Sequence, residues 1–191
     1  IGVVGAIQVD GTAFEFNIAP AVTSGEFIRN INSVLSFARV HLRKFDNNLE
    51  FKTEPTAIYP QDYFDALPQV SKELGCEPDY NAWTGKVTPK PSTKKPMRTG
   101  SGHVHLGWTF GEDVEDPGHV FDCTSTVKQL DATLLIPSLL WDADKSRREL
   151  YGKMGAYRPK HYGVEYRVLS NKWVGSRDLQ EFVFDTSKAA A

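Results

Sequence analysis

Polar and apolar residues alternate early in the chain. In GAIQVDGTAFEFNIAP, Ala13, Glu15 and Asn17 fall on one face and Phe14, Phe16 and Ile18 on the other, and Asp10-Gly11 after Val9 supplies a tight turn. This pattern predicts a hairpin. The period then changes: after a Ser24 cap, Phe27, Ile31, Val34, Leu35, Ala38 and Leu42 recur at helical spacing, so a core-facing helix should run to about Phe45–Asn48. A strand is expected over 49–58 and a short helix over 60–67. The passage from Gly75 to Arg98 is rich in Pro, Gly, Asn, Lys and Thr and reads as a long functional loop.

A strand over 102–110 follows, then a second long helix capped by Asp122 and carrying Val127, Leu130, Leu134 and Leu135, which Pro137 should kink or end. The glycine- and aromatic-rich YGKMGAYRPKHYG leads into an alternating strand, VEYRVLS, and Ser176 caps a last helix to about Asp185. With no internal repeat and no second composition regime, one α+β domain over 1–191 accounts for the pattern.

Side chains at i and i+2 of a strand share a face. His103 and His105 therefore point together, as do Glu165 with Arg167 and Glu15 with Asn17. Taken singly, each pair has a plainer reading as a structural histidine or a cross-strand charge pair. In one sheet the three pairs would line a common face with two carboxylates, two imidazoles and an arginine. Carboxylates and imidazole suit Mg²⁺ or Mn²⁺, and Arg158, Arg167, Arg98 and Arg147 could fork onto phosphate or carboxylate oxygens.

Composition narrows the rest. The chain has 191 residues, 40% hydrophobic and 24% charged, with a formal net charge of −2, and gives no reason to expect a nucleic-acid surface. The basic runs at 90–98 and 145–148 read as solvated loops or helix ends, or as contacts for an anionic ligand. Cys76 and Cys123 match no metal spacing, so free thiols in a reducing compartment are the default. No apolar run suits a membrane span and no signal segment opens the chain, which reads as soluble and unexported. A start at Ile1 and an end in KAAA suggest a processed product or part of a longer protein.

The run Gly100-Ser101-Gly102-His103-Val104-His105 resembles the glycine-serine-glycine, histidine-x-histidine motif of the glutamine synthetase superfamily, and Glu165-x-Arg167 resembles its later metal-glutamate and substrate-arginine strand. Four blocks together, VDGTAFEFNIAPA, ELGCEPDYNAWTG, RTGSGHVHLGW and YGKMGAYRPKHYGVEYRVLSNKW, are similar to the phage-associated carboxylate-amine (COOH-NH2) ligases of the second type, from about Gly5 to Phe184. The resemblance implies a curved, mainly antiparallel sheet with helices on one face, similar to the glutamine synthetase catalytic domain. It also implies an ATP- and Mg²⁺- or Mn²⁺-dependent ligase that joins a small-molecule or peptide carboxylate to an amine through an acyl phosphate. Glu15, His103 and Glu165 would be metal ligands. His105, Arg158 and Asn17 would face nucleotide or phosphate, with Arg158 and Arg167 catalytic and Arg167 on the substrate carboxylate or transferred phosphoryl group.

Family members begin with a further strand bearing an Asp-Pro-Glu-type motif. This chain starts downstream of it, and Glu77-Pro78-Asp79, placed in the loop, is not taken as a substitute. The resemblance implies a cytoplasmic location in an infected or lysogenic bacterial host, a homo-oligomer or virion association, and no nucleic-acid or membrane partner. Two other readings stay open: a phage structural or binding module retaining a degenerate ligase fold, and a metal hydrolase using His103 and His105.

Overall fold

The computed structural model describes residues 4–72, 79–89 and 95–191. Cys76, Glu77 and Pro78, and part of the loop expected over 75–98, lie outside them. At the start, β1 (Gly5–Asp10) and β2 (Ala13–Ile18) pair antiparallel, Asp10 opposite Ala13, so the turn residues are Gly11 and Thr12. Gly11 takes the left-handed conformation (φ +59°), and a Cβ there would lie 3.2 Å from the Arg98 guanidinium.

Helix α1 (Ser24–Leu42) is capped one residue earlier than expected, by Thr23, whose hydroxyl accepts the Glu26 N–H at 3.2 Å. Its buried positions include Ile28, Ile31, Val34, Leu35 and Ala38. The strand expected over 49–58 shrinks to β3 (Thr56–Ile58), the stretch that forms a strand pair among the described residues. After it come α2 (Gln61–Ala66) and α3 (Gln69–Lys72).

The passage expected as loop contains β4 (Asp79–Asn81), β5 (Val87–Thr88) and β6 (Met97–Thr99), of which β6 pairs with β3. Turn-forming composition hid these strands, because each is only two or three residues long and stabilised by tertiary pairing. Next, β7 (Val104–Gly107) is shorter than the strand expected over 102–110.

Helix α4 (Pro117–Leu130) starts five residues before the expected cap: Asp116 accepts the His119 N–H at 2.9 Å and Pro117 occupies the first turn. The helix first widens into a π turn over Asp131–Leu135, with the Ile136 N–H bonded to Asp131 O, then continues into α5 (Ile136–Ser138) and stops one residue past Pro137, as expected. Proline lacks the N–H that a regular helix would place on the preceding turn. Then follow α6 (Lys145–Leu150), β8 (Ala156–Lys160), β9 (Gly163–Tyr166), a 3₁₀ turn (Asn171–Gly175) and α7 (Arg177–Ala190), the last capped by Ser176 as expected.

Five strands form an antiparallel sheet in the order β5-β4-β8-β9-β7. Helix and antiparallel sheet together make the fold α+β. One face of this sheet is apolar: Val104, Tyr157, Val164 and Tyr166 are buried in the core with Cys123 and Val127 of α4. Helix α7 packs on both α1 and α4, and α1 carries the β1–β2 hairpin. The hairpin is a separate two-stranded sheet, so Glu15 and Asn17 do not share a sheet with the histidines as the alternation had suggested.

Gly163 sits where β7, β8 and β9 meet, with φ +147°, and a Cβ there would fall 2.1 Å from Leu106 O. Gly163→Ala should therefore destabilise the protein by about 1–3 kcal/mol, read from the urea midpoint, through strain and the forced separation of β7 from β9.

Candidate functional site

The other sheet face is polar because alternation puts it there. Cross-strand register sets His105 of β7 opposite Glu165 of β9, and Glu165 opposite Arg158 of β8, in one row. Two residues further along β8, Lys160 returns to the same side, and Arg167 follows β9 one period beyond Glu165. The backside residues, Tyr157, Val164 and Tyr166, are apolar or aromatic and anchor these strands on the core.

Glu165 is the convergence point. Its carboxylate meets His103 Nδ1 at 3.2 Å and Lys160 Nζ at 2.9 Å, and accepts a hydrogen bond from Arg167 Nη1. Burial alone would raise its pKa. Hydrogen bonds and charge from His103 and Lys160 overcome that and hold it at about 2. His103 is pushed down to about 4, first by burial and then by the Arg167 charge, against the pull of Glu165. At neutral pH the pair is thus a carboxylate beside a neutral imidazole. The other ring nitrogen of His103 lies 3.4 Å from the Tyr151 hydroxyl, and the Arg167 guanidinium stacks over the Tyr151 ring at 5.2 Å.

Asp79, at the start of β4, closes the far side. It lies 2.7 Å from Arg167 Nε and 3.3 Å from Arg158 Nη2. Burial raises its pKa, with Arg167 and Arg158 pulling it back. Asp79 belongs to the Glu77-Pro78-Asp79 run that the loop assignment set aside, and its place in the site corrects that assignment. Lys160 was also missed, although the Arg158-Pro159-Lys160 alternation marks it as a face-mate of Arg158. At the β7 edge, His105 Nδ1 is 2.5 Å from the Tyr162 hydroxyl, and desolvation followed by the Lys160 and Arg167 charges outweighs Glu165 to lower the imidazole pKa.

The remaining sequence candidates divide. Glu15 stands on the separate hairpin, close enough to feel the charges of Arg167 and Glu165; partial desolvation of its carboxyl and the neighbouring Asp10 raise its pKa. Asn17 is not brought to the sheet: its side-chain oxygen accepts the Ala6 N–H within the hairpin at 3.1 Å. Arg98 pairs with Asp10 and pins the hairpin turn to β6. Arg147 is buried and donates to the Val168 and Leu169 carbonyls at 2.7 and 2.8 Å and to Ser101 Oγ at 3.0 Å, so it braces the chain around the site. Among the described residues no group of three or more His, Cys, Asp or Glu side chains is gathered as a metal cage.

The architecture is that of an α+β protein with one sheet face given to guanidinium, ammonium, imidazole and carboxylate groups. Residues 92–191, just over half of the chain, match the family described as phage phiEco32-like COOH.NH2 ligase-type 2, and the chain belongs to that family. The match includes His103, His105, Arg158, Lys160, Glu165 and Arg167, while Glu15 and Asp79 precede it. No curated protein and no solved structure matches the chain. Among the described residues no helix is long and apolar enough to cross a membrane.

The two lowered pKa values fix an acid limb of stability. As pH falls, the unfolded chain protonates its His103 near 6.5 while the folded chain waits until about 4, so stability present above 6.5 drains between those values. For Glu165 the corresponding window runs from 4.5 down to about 2. Urea midpoints should therefore fall in two stages below pH 6.5, with Glu165→Gln flattening the lower stage and His103→Asn the upper.

Proposed function

We propose that this protein is an ATP-dependent ligase that joins a carboxylate to an amine through an acyl phosphate, on the polar face of the five-stranded sheet. One observation carries the reading: Arg158, Lys160 and Arg167 converge about Glu165 and Asp79 within and beside the segment that matches the carboxylate-amine ligase family. The glycine-serine-glycine, histidine-x-histidine run and the Glu165-x-Arg167 strand support placing the fold in the glutamine synthetase superfamily.

The chemistry divides into two displacements. A carboxylate oxygen of the acid substrate attacks the γ-phosphorus of ATP and ADP leaves; the amine nitrogen then attacks the acyl carbon, phosphate leaves with the bonding pair, and the nitrogen gives up a proton. Negative charge accumulates on the phosphoryl oxygens in the first step, and forked guanidinium donors stabilise it without reorganising. Arg158 and Lys160 are assigned to the phosphates, and Arg167, held by Asp79 and Glu165, to the acid substrate or the transferred group. His105, steadied by Tyr162, faces the nucleotide. The specific acid and amine would be chosen by the segments flanking β4 and β5.

The donor set suits a divalent cation, since Glu165 is ionised and His103 is neutral at physiological pH and the two already lie 3.2 Å apart. Glu15, His103 and Glu165 would hold Mg²⁺ or Mn²⁺, which would neutralise phosphate charge. A structural or binding module is the second reading. It is favoured by the full engagement of Glu165 with three partners and by the lack of a three-ligand cage among the described residues.

Calorimetry of ATP with and without Mg²⁺ tests the choice. Metal-dependent binding in the wild type, weakened at least about tenfold in Glu165→Ala, is the expected result. Well-folded wild type that binds no ATP would put the module reading ahead.

A further inference from the structure

Behind the sheet lies a buried charge that the proposed chemistry does not use. Asp131 is completely buried at the first position of the π turn that extends α4. Its Oδ2 accepts the Trp83 indole N–H at 2.6 Å and its Oδ1 accepts the Tyr166 hydroxyl at 2.8 Å. Burial raises its pKa, and the hydrogen bonds from Trp83 and Tyr166, with the nearby Gly155 backbone, oppose that rise.

The origin of those groups is informative. Trp83 lies in the turn after β4, Gly155 immediately precedes β8, and Tyr166 is in β9. These strands carry, on the opposite sheet face, Asp79, then Arg158 and Lys160, then Glu165 with Arg167 just beyond. One carboxylate therefore ties the turn after β4 to β9, and through the Trp83 ring it reaches the glycine that leads into β8. Tyr166 sits between Glu165 and Arg167 in sequence, so fixing its ring from behind fixes how both neighbours project forward.

The packing around Trp83 is equally specific. Gly155 has φ +78°, and a Cβ there would fall 2.7 Å from Trp83 Cδ1, so the indole lies directly on the glycine backbone. Asn81 secures the same turn: its side-chain oxygen accepts the Trp83 and Thr84 N–H groups at 3.0 Å each, and its amide donates to Met154 O at 2.8 Å. Lys128, one turn before Asp131 on α4, lies over the indole at 5.6 Å. A carboxylate offers about four lone-pair positions, enough for a donor on each oxygen. An asparagine would offer one oxygen and turn an N–H₂ group against a donor.

We propose that Asp131 is a positioning residue that holds β4, β8 and β9 in mutual register from behind, so that Asp79, Arg158, Glu165 and Arg167 meet on the front. It touches no reacting atom. The binding arm of its test rests on the nucleotide-site reading; the spectroscopic arm does not.

The experiment compares wild type with Asp131→Asn, Trp83→Phe and the double variant, and with Val183→Ala as a core control, since Val183 is fully buried on α7 and is not a donor to Asp131. Backbone amide NMR signals of Asp79, Arg158 and Glu165 should move in Asp131→Asn and Trp83→Phe and stay in place in Val183→Ala, although all three variants lose thermal stability. ATP affinity in the presence of Mg²⁺ should fall about tenfold in Asp131→Asn, with Trp83→Phe adding little on top of it. If Asp131→Asn lowers Tm as Val183→Ala does while the three amide signals remain in place, the positioning role is overturned. Should wild type bind no ATP, the function proposal fails while the amide signals still decide Asp131. Trp83 is half-exposed, so Trp83→Phe keeps the test open if Asp131→Asn does not fold.

Discussion

The carboxylate of Glu165 is where the constraints of the sheet and those of the polar face meet. It is buried on the central part of β9, between strands β8 and β7, and a buried charge is tolerated only when it is paired and hydrogen-bonded. His103, Lys160 and Arg167 satisfy it, and each is thereby fixed in direction. Arg167 in turn orients Asp79, and Asp79 takes Arg158. Removing the carboxylate would leave two cations facing each other in a partly desolvated layer, so the network stands or falls as a unit.

The same strands must satisfy opposite demands on their two faces. Toward α4 the requirement is packing, met by Val164, Tyr166 and Tyr157; on the polar face it is charge balance, met by alternating arginine, lysine and glutamate. Tyr166 links the demands, because its ring is core while its hydroxyl reaches Asp131. A π turn places that aspartate beneath the sheet, and its tryptophan donor, packed on Gly155, carries the constraint to the turn after β4 and the start of β8.

Long-range regularities were legible in the sequence. The α1 stripe, the Ser176 cap and the face shared by Glu165 and Arg167 all follow from period and capping chemistry that one segment carries by itself. Short elements were not legible: β4, β5 and β6 have two or three residues each, too few to show alternation, and they exist because partners in other segments accept their hydrogen bonds. Asp79 was overlooked for that reason, since its neighbours in sequence are turn formers while its neighbours in space are arginines. Asn17 failed in the opposite way. Its alternation with Glu15 was real, but the hairpin does not join the main sheet, and no local pattern reports which sheet a strand enters. The family relationship rests on the segment from 92 onward, where the glycine-histidine run and the β8–β9 hairpin lie.

The most direct measurement is a ¹³C NMR titration of the Glu165 side-chain carboxyl, alongside the His103 imidazole, across the acid range. A network centred on Glu165 predicts carboxyl titration near about 2 and imidazole titration near about 4. A Glu165 midpoint at the ordinary glutamate value, with His103 titrating near 6.5, would show that the carboxylate does not organise this face.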